Sequence, residues 1–205
     1  MGKRTVSDVI REAGPRAAAR LRPYFSDAGV DYPPGRVALL GFKQERRLEL
    51  WADRDGAWVH IRAYPIYGAS GVPGPKLREG DLQVPEGVYR ITALNPNSSY
   101  HLSMKLNYPN RHDVERARAE NRDDPGGNIF IHGKDSSVGC LAIGDEAIEE
   151  LFSLVSITGP TNVSVIIAPN DLRSHPPVTG PGDRPAWVAP LYDAIGQELK
   201  PFKRS

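Results

Sequence analysis

Residues 129–145 read IFIHGKDSSVGCLAIGD. The apolar triplet Ile129, Phe130 and Ile131 has strand composition and delivers His132 to its end. A polar loop follows, and Ser137, Val138, Gly139 and Cys140 then present the chain's only thiol shortly before Asp145, a good helix N-cap. These are the parts that a thiol nucleophile requires. A free thiol is only a few per cent ionised near neutrality, so an imidazole must take its proton. Gly139 lets the backbone turn tightly enough to aim amides at a developing oxyanion. The residues alone leave a plain alternative for each: a cysteine beside Leu141 and Ile143 fits a buried core, and a histidine at a strand end is commonly a hydrogen-bonded structural group.

Working outward, Ile148, Leu151, Phe152 and Val155 mark the inner face of a helix closed near Gly159 and Pro160, and residues 161–168 have strand composition. Upstream, residues 36–42, 47–51 and 57–63 form a meander with turn chemistry at 53–56. Within it LELWA alternates as a half-buried strand does. Residues 64–87 are too rich in Pro and Gly for regular structure and suit a fixed loop. Strands resume at 88–94 and 100–106, and a polar helical excursion occupies 111–122. At the ends, Ser7 can cap a helical stretch that Gly14 and Pro15 interrupt, residues 16–25 resume helical spacing, 169–184 are loop, and 185–200 suit a last amphipathic helix. The pattern predicts a mainly β (α+β) domain, a bent mixed sheet or a sandwich with peripheral helices. Its parts are a helical cover over 1–35, a central domain over 36–170, and a C-terminal loop and helix over 171–205 packed on the same domain.

At 205 residues, 40% hydrophobic and 25% charged, the chain suits one hydrophobic core. Lys plus Arg (26) nearly balance Asp plus Glu (25), so no net field would steer it to nucleic acid or an anionic membrane. Its longest apolar runs, such as 37–42 and 163–168, fall far below the roughly 18 residues a membrane span needs. The first residues are basic with no apolar stretch behind them, unlike a signal peptide. That reading leaves a chain beginning after a removed signal, a cytosolic protein, or export by another route. One cysteine excludes an intrachain disulfide and a multi-cysteine zinc site, and His60, His101 and His112 make no i, i+4 pair. No metal or other cofactor is expected.

HGKDSSVGC, residues 132–140, resembles the His-Gly and Ser-x-Gly-Cys signature of the YkuD-type L,D-transpeptidase catalytic domain. Residues 74–89, 95–102 and 107–110, with Asp113, are similar to the family's segments ahead of that signature, so the likeness runs over roughly 36–168. The resemblance implies a mainly β fold and action on peptidoglycan stem peptides. It implies Cys140 as nucleophile, His132 as base and the Gly133 carbonyl as the group orienting the imidazole, with backbone amides around Val138, Gly139 and Cys140 as the oxyanion hole and Ser137 in support. It implies a thioester formed at the third-position diamino acid as the terminal D-alanine leaves. Many members carry a histidine two places before the cysteine and an arginine two places after it; here Val138 and Ala142 occupy those positions, and Cys140 follows His132 at a short spacing of eight positions. These departures resemble a YafK-like branch and favour hydrolysis over cross-linking.

Tyr108, Asn110 and Lys76 are candidate substrate ligands, with Glu79 and Asp81 beside them, although Tyr-Pro-Asn is also ordinary turn chemistry and charged loops are commonly solvated. The implied partners are peptidoglycan stem peptides and, beyond them, a peptidoglycan-attached envelope protein; nucleic acid and a membrane span are not expected. The implied location is the periplasm or cell envelope if a signal has been removed. A non-catalytic peptidoglycan-binding module and an acyltransferase acting on another peptide are the competing readings.

Overall fold

The computed structural model describes residues 3–180, 182 and 184–203. In chain order the elements are α1 (Val6–Asp27), β1 (Val37–Phe42), β2 (Arg47–Arg54), β3 (Ala57–Pro65), β4 (Gly87–Asn95), β5 (Ser103–Leu106), α2 (Arg111–Ala119), β6 (Phe130–His132), β7 (Leu141–Ala142), α3 (Asp145–Thr158), β8 (Val163–Ala168) and α4 (Val188–Leu199). The strands make one curled mixed sheet in the order β3-β2-β1-β8-β4-β5-β6-β7. Of the two architectures the pattern allowed, the bent sheet is the one formed. β1 pairs parallel to β8 and β6 to β7, while the other neighbours are antiparallel.

Both faces of the sheet's centre are covered, and β1 is buried along its whole length. Leu39, Leu50, Val165 and Ile167 share a core with Leu21 and Phe25 of α1 and with Leu151 and Phe152 of α3. Ala38, Leu40, Phe42 and Ile166 point the other way, into a smaller core with Leu191, Tyr192 and Ile195 of α4. Each large side chain so buried contributes roughly 1.5–3 kcal/mol. The second cover corrects the reading of LELWA as half-buried: Glu49 is fully buried. Its carboxylate accepts from Arg47 Nε at 2.9 Å, Trp51 Nε1 at 2.9 Å and Arg173 Nη2 at 3.1 Å, which makes burial of the charge tolerable.

The N-terminal helix also differs from expectation. Thr5, not Ser7, is the N-cap, in a reciprocal capping box with Asp8. Pro15 and Pro23 lie inside one continuous helix. An internal proline costs about 3 kcal/mol. Val9, Ala13, Ala17, Leu21 and Phe25 repeat every fourth residue on the buried face, and Arg20 pairs with Glu149 and Glu150 of α3. That packing outweighs the propensity term.

Among the described residues no helix is long and apolar enough to cross a membrane.

Candidate active site

β6 is held between β5, where Ser103 lies opposite His132, and β7, where Ala142 does. This places the imidazole at the mouth of a loop that returns through Cys140 into β7. The loop is pinned at its base: Asp145 Oδ1 accepts the Lys134 amide at 2.8 Å, and the Gly144 amide donates to the Lys134 carbonyl at 2.9 Å. Asp145 therefore does not cap α3 as its sequence position suggested; Gly144 is the N-cap and makes no side-chain bond.

A Cβ at Gly133 would stand 2.6 Å from Asp145 Oδ1 and 2.7 Å from the Tyr100 carbonyl, so only glycine fits. The close passage aims the Gly133 carbonyl at His132 Nδ1, 2.7 Å away. A carbonyl only accepts, so Nδ1 carries the proton and Nε2 of the neutral ring is an acceptor. Nε2 faces Ser137 Oγ at 3.2 Å. The Tyr100 ring leans over the imidazole at 4.5 Å between centroids. His132 is buried, and burial lowers its pKa, opposed by the Gly133 carbonyl.

Cys140 is half-buried. Its sulfur accepts the Phe130 amide at 3.4 Å and donates to the Asn128 carbonyl at 3.7 Å. Among the described residues no hydrogen bond joins the sulfur to His132; Ser137 Oγ, which faces the imidazole, accepts the Cys140 amide at 3.1 Å. Burial raises the thiol's pKa, against the Phe130 amide, the Ser137 hydroxyl and the charge of Lys76. The thiol's place shortly before a helix start suggested a dipole that favours the thiolate, but burial acts in the opposite direction. β7 intervenes between Cys140 and α3.

Gly139 takes a left-handed φ of +80° that favours glycine, and its amide donates to Ser70 Oγ at 2.6 Å. The Val138 side chain is exposed. The amides of Gly139 and Cys140 thus have hydroxyl partners at rest, and an oxyanion drawing on them would have to share or displace Ser70 and Ser137.

Of the other candidates, Tyr108 is buried and donates its hydroxyl to the Pro125 carbonyl at 2.7 Å. Asn110 is the N-cap of α2, in a capping box with Asp113. Both spend their polar atoms on local structure. Lys76 is buried, with Nζ 2.7 Å from Asp81 Oδ1 and 2.9 Å from the Arg78 carbonyl, leaving one donor. Burial would raise the Asp81 pKa, but Lys76 and three backbone amides hold it below the ordinary carboxylate value. Sequence reasoning missed Ser70, Asn128 and Tyr100. The first two act through a hydroxyl in the long loop and a main-chain carbonyl, which no local motif marks. No group of three metal-ligating side chains occurs among the described residues. A broad concavity between α4 and residues 171–177 contains none of the site residues.

A histidine at the end of β6 and a cysteine just ahead of the adjacent parallel β7, the imidazole oriented by the next residue's carbonyl, define a class of thiol-bearing site. Residues 39–167 match the L,D-transpeptidase catalytic domain family, YkuD, and the chain belongs to that family. Among curated proteins it is similar to "Putative L,D-transpeptidase YafK" of Escherichia coli K12 and to its counterpart of the same name in strain O157:H7, at 35% identity over 133 residues, 62% of this chain and 52% of either relative. The chain thus spans about half the length of the curated relatives it matches. Among solved structures, the helical cell shape determining protein Pgp2 from Campylobacter jejuni shares the fold, with TM-score 0.54 and 23% identity over 66% of this chain and 48% of that one.

Proposed function

We propose that this domain is a cysteine-dependent acyl-transfer enzyme acting on peptidoglycan stem peptides. The observation that carries the reading is the His132 tautomer: Nδ1 is committed to the Gly133 carbonyl, so Nε2 is left as an acceptor toward the Ser137–Cys140 turn. Family membership supplies the substrate class.

With substrate bound, the Cys140 proton passes to His132 and the thiolate attacks the carbonyl of the third-position diamino acid. Amides of the 138–140 turn stabilise the oxyanion, each such donor being worth roughly 3 kcal/mol. The imidazolium protonates the departing amine of the terminal D-alanine, leaving a thioester on Cys140. Water then resolves it more readily than a second stem peptide does. Val138 offers an exposed aliphatic side chain and Ala142 a buried methyl where many relatives carry histidine and arginine, so neither offers a polar group to an acceptor. An unpositioned amine competes poorly with water at about 55 M. The envelope is the compartment this substrate requires, and a peptidoglycan-attached protein is a further donor of the same chemistry.

One observation favours a binding module without turnover instead: burial raises the resting thiol's pKa. Incubation with a defined tetrapeptide muropeptide, with and without an amine acceptor, separates the readings by product mass. Tripeptide that disappears in Cys140→Ala supports the enzyme; binding with no product from the unsubstituted protein supports the module.

A further inference from the structure

We propose that the Ser137 hydroxyl is the relay through which the Cys140 thiol proton reaches His132. The proposal rests on reading Cys140 as nucleophile and His132 as base.

A serine hydroxyl has one donor and two acceptor sites. Because Nδ1 of His132 gives its proton to the Gly133 carbonyl, the 3.2 Å contact at Nε2 runs from the Ser137 hydroxyl to the ring. One lone pair of Oγ takes the Cys140 amide at 3.1 Å. The second lone pair remains for the thiol of the same residue. At rest that thiol leans on the Asn128 carbonyl at 3.7 Å, a long contact that little energy holds. Ser137 is also one of the groups that oppose the burial of the thiol.

In the relay, the S–H bond of Cys140 breaks as its proton bonds to Oγ, and the original Oγ–H bond breaks as that proton bonds to Nε2. The hydroxyl is regenerated. The products are a thiolate and an imidazolium, with one S–H bond exchanged for one N–H bond. The imidazole keeps its packed position under the Tyr100 ring and on the Gly133 carbonyl, while the thiol proton turns from the Asn128 carbonyl to Ser137 Oγ.

The test is the pH dependence of Cys140 alkylation by iodoacetamide in the intact chain, which needs no peptidoglycan. Ser137→Thr and Ser137→Val are nearly isosteric and differ in the hydroxyl, so comparing them removes the effect of bulk at 137. Alkylation at neutral pH should fall about tenfold or more in Ser137→Val, with its midpoint moved upward, and stay within about threefold in Ser137→Thr. Adding Ser137→Val to His132→Gln should slow alkylation no further, since both act on one proton path. Equal rates in the Thr and Val variants, or additive losses in the double variant, would overturn the relay. A hydroxyl-dependent profile in a protein that turns over no muropeptide would support the relay while contradicting the substrate reading alone.

Discussion

Asp145 Oδ1 and the missing side chain of Gly133 occupy the same space: a Cβ at 133 would lie 2.6 Å from that oxygen, which already holds the Lys134 amide at 2.8 Å. The carbonyl that fixes the His132 tautomer is therefore delivered by a contact only glycine permits. Gly133→Ala should cost about 1–3 kcal/mol through overpacking and should depress turnover beyond what the lost stability explains. Urea denaturation together with kcat/KM checks both parts.

In the proposed reaction His132 is the base and Cys140 the nucleophile, and burial lowers the imidazole's pKa and raises the thiol's. A base must be unprotonated to accept a proton, so the acid limb of kcat/KM should lie below the ordinary imidazole value of about 6.5. Alkylation of Cys140 should keep rising with pH past the ordinary thiol value of about 8.5. Tyr100→Ala opens the imidazole to water and should move the acid limb up toward the ordinary value. A pH-rate profile of the two proteins is the measurement, and a limb that stays in place would show that Tyr100 does not shield the ring.

Lys43 and Glu86 form a buried ion pair at 3.0 Å that ties the long loop to the sheet. Lys43 also donates to the carbonyls of Gly74 and Val84, while Glu86 accepts the Gly74 amide at 2.7 Å and the Tyr192 hydroxyl of α4 at 2.8 Å. Lys43→Met leaves a buried carboxylate without its cation and should cost about 3–5 kcal/mol. Adding Glu86→Gln should recover part of that loss, a coupling that a double-mutant cycle reads directly. Because Ser70 in this loop holds the Gly139 amide, the single variant should also lose activity before it unfolds globally.

Much of this architecture was legible in the chain. The 53–56 turn and its flanking strands gave the meander, and IFIHGKDSSVGC set the order of strand, histidine, loop and thiol. What stayed hidden depends on tertiary burial. β7 is two residues long and is held by the pairing of Leu141 and Ala142 with Ile131 and His132 and by a bridge from Ala142 to Gly68, so periodicity could not register it. That strand separates Cys140 from the start of α3, and burial, which no local motif marks, raises the thiol's pKa. Glu49 looked solvent-facing until α4 and Arg173 covered it, and Pro15 looked like a break until α3 supplied a surface for α1. Tyr108 and Asn110 carry turn and capping chemistry, the plainer of the readings their sequence allowed.

On the proposed reading, the buried Ala142 and the exposed Val138 leave a Cys140 thioester to water. With a tetrapeptide muropeptide alone, tripeptide should exceed 3-3 cross-linked dimer; abundant dimer with little tripeptide would show that the acceptor is held by groups other than those side chains. Quantitative separation of the products by mass decides it.

The proposed reaction passes through a covalent acyl intermediate on Cys140. Acid quenching of the protein seconds after mixing with a tetrapeptide muropeptide, followed by intact-protein mass spectrometry, reads it directly. The expected result is a mass increase equal to the donor less D-alanine, mapped to the peptide containing Cys140 and absent from Cys140→Ala. Release of D-alanine at an unchanged rate from Cys140→Ala would contradict it.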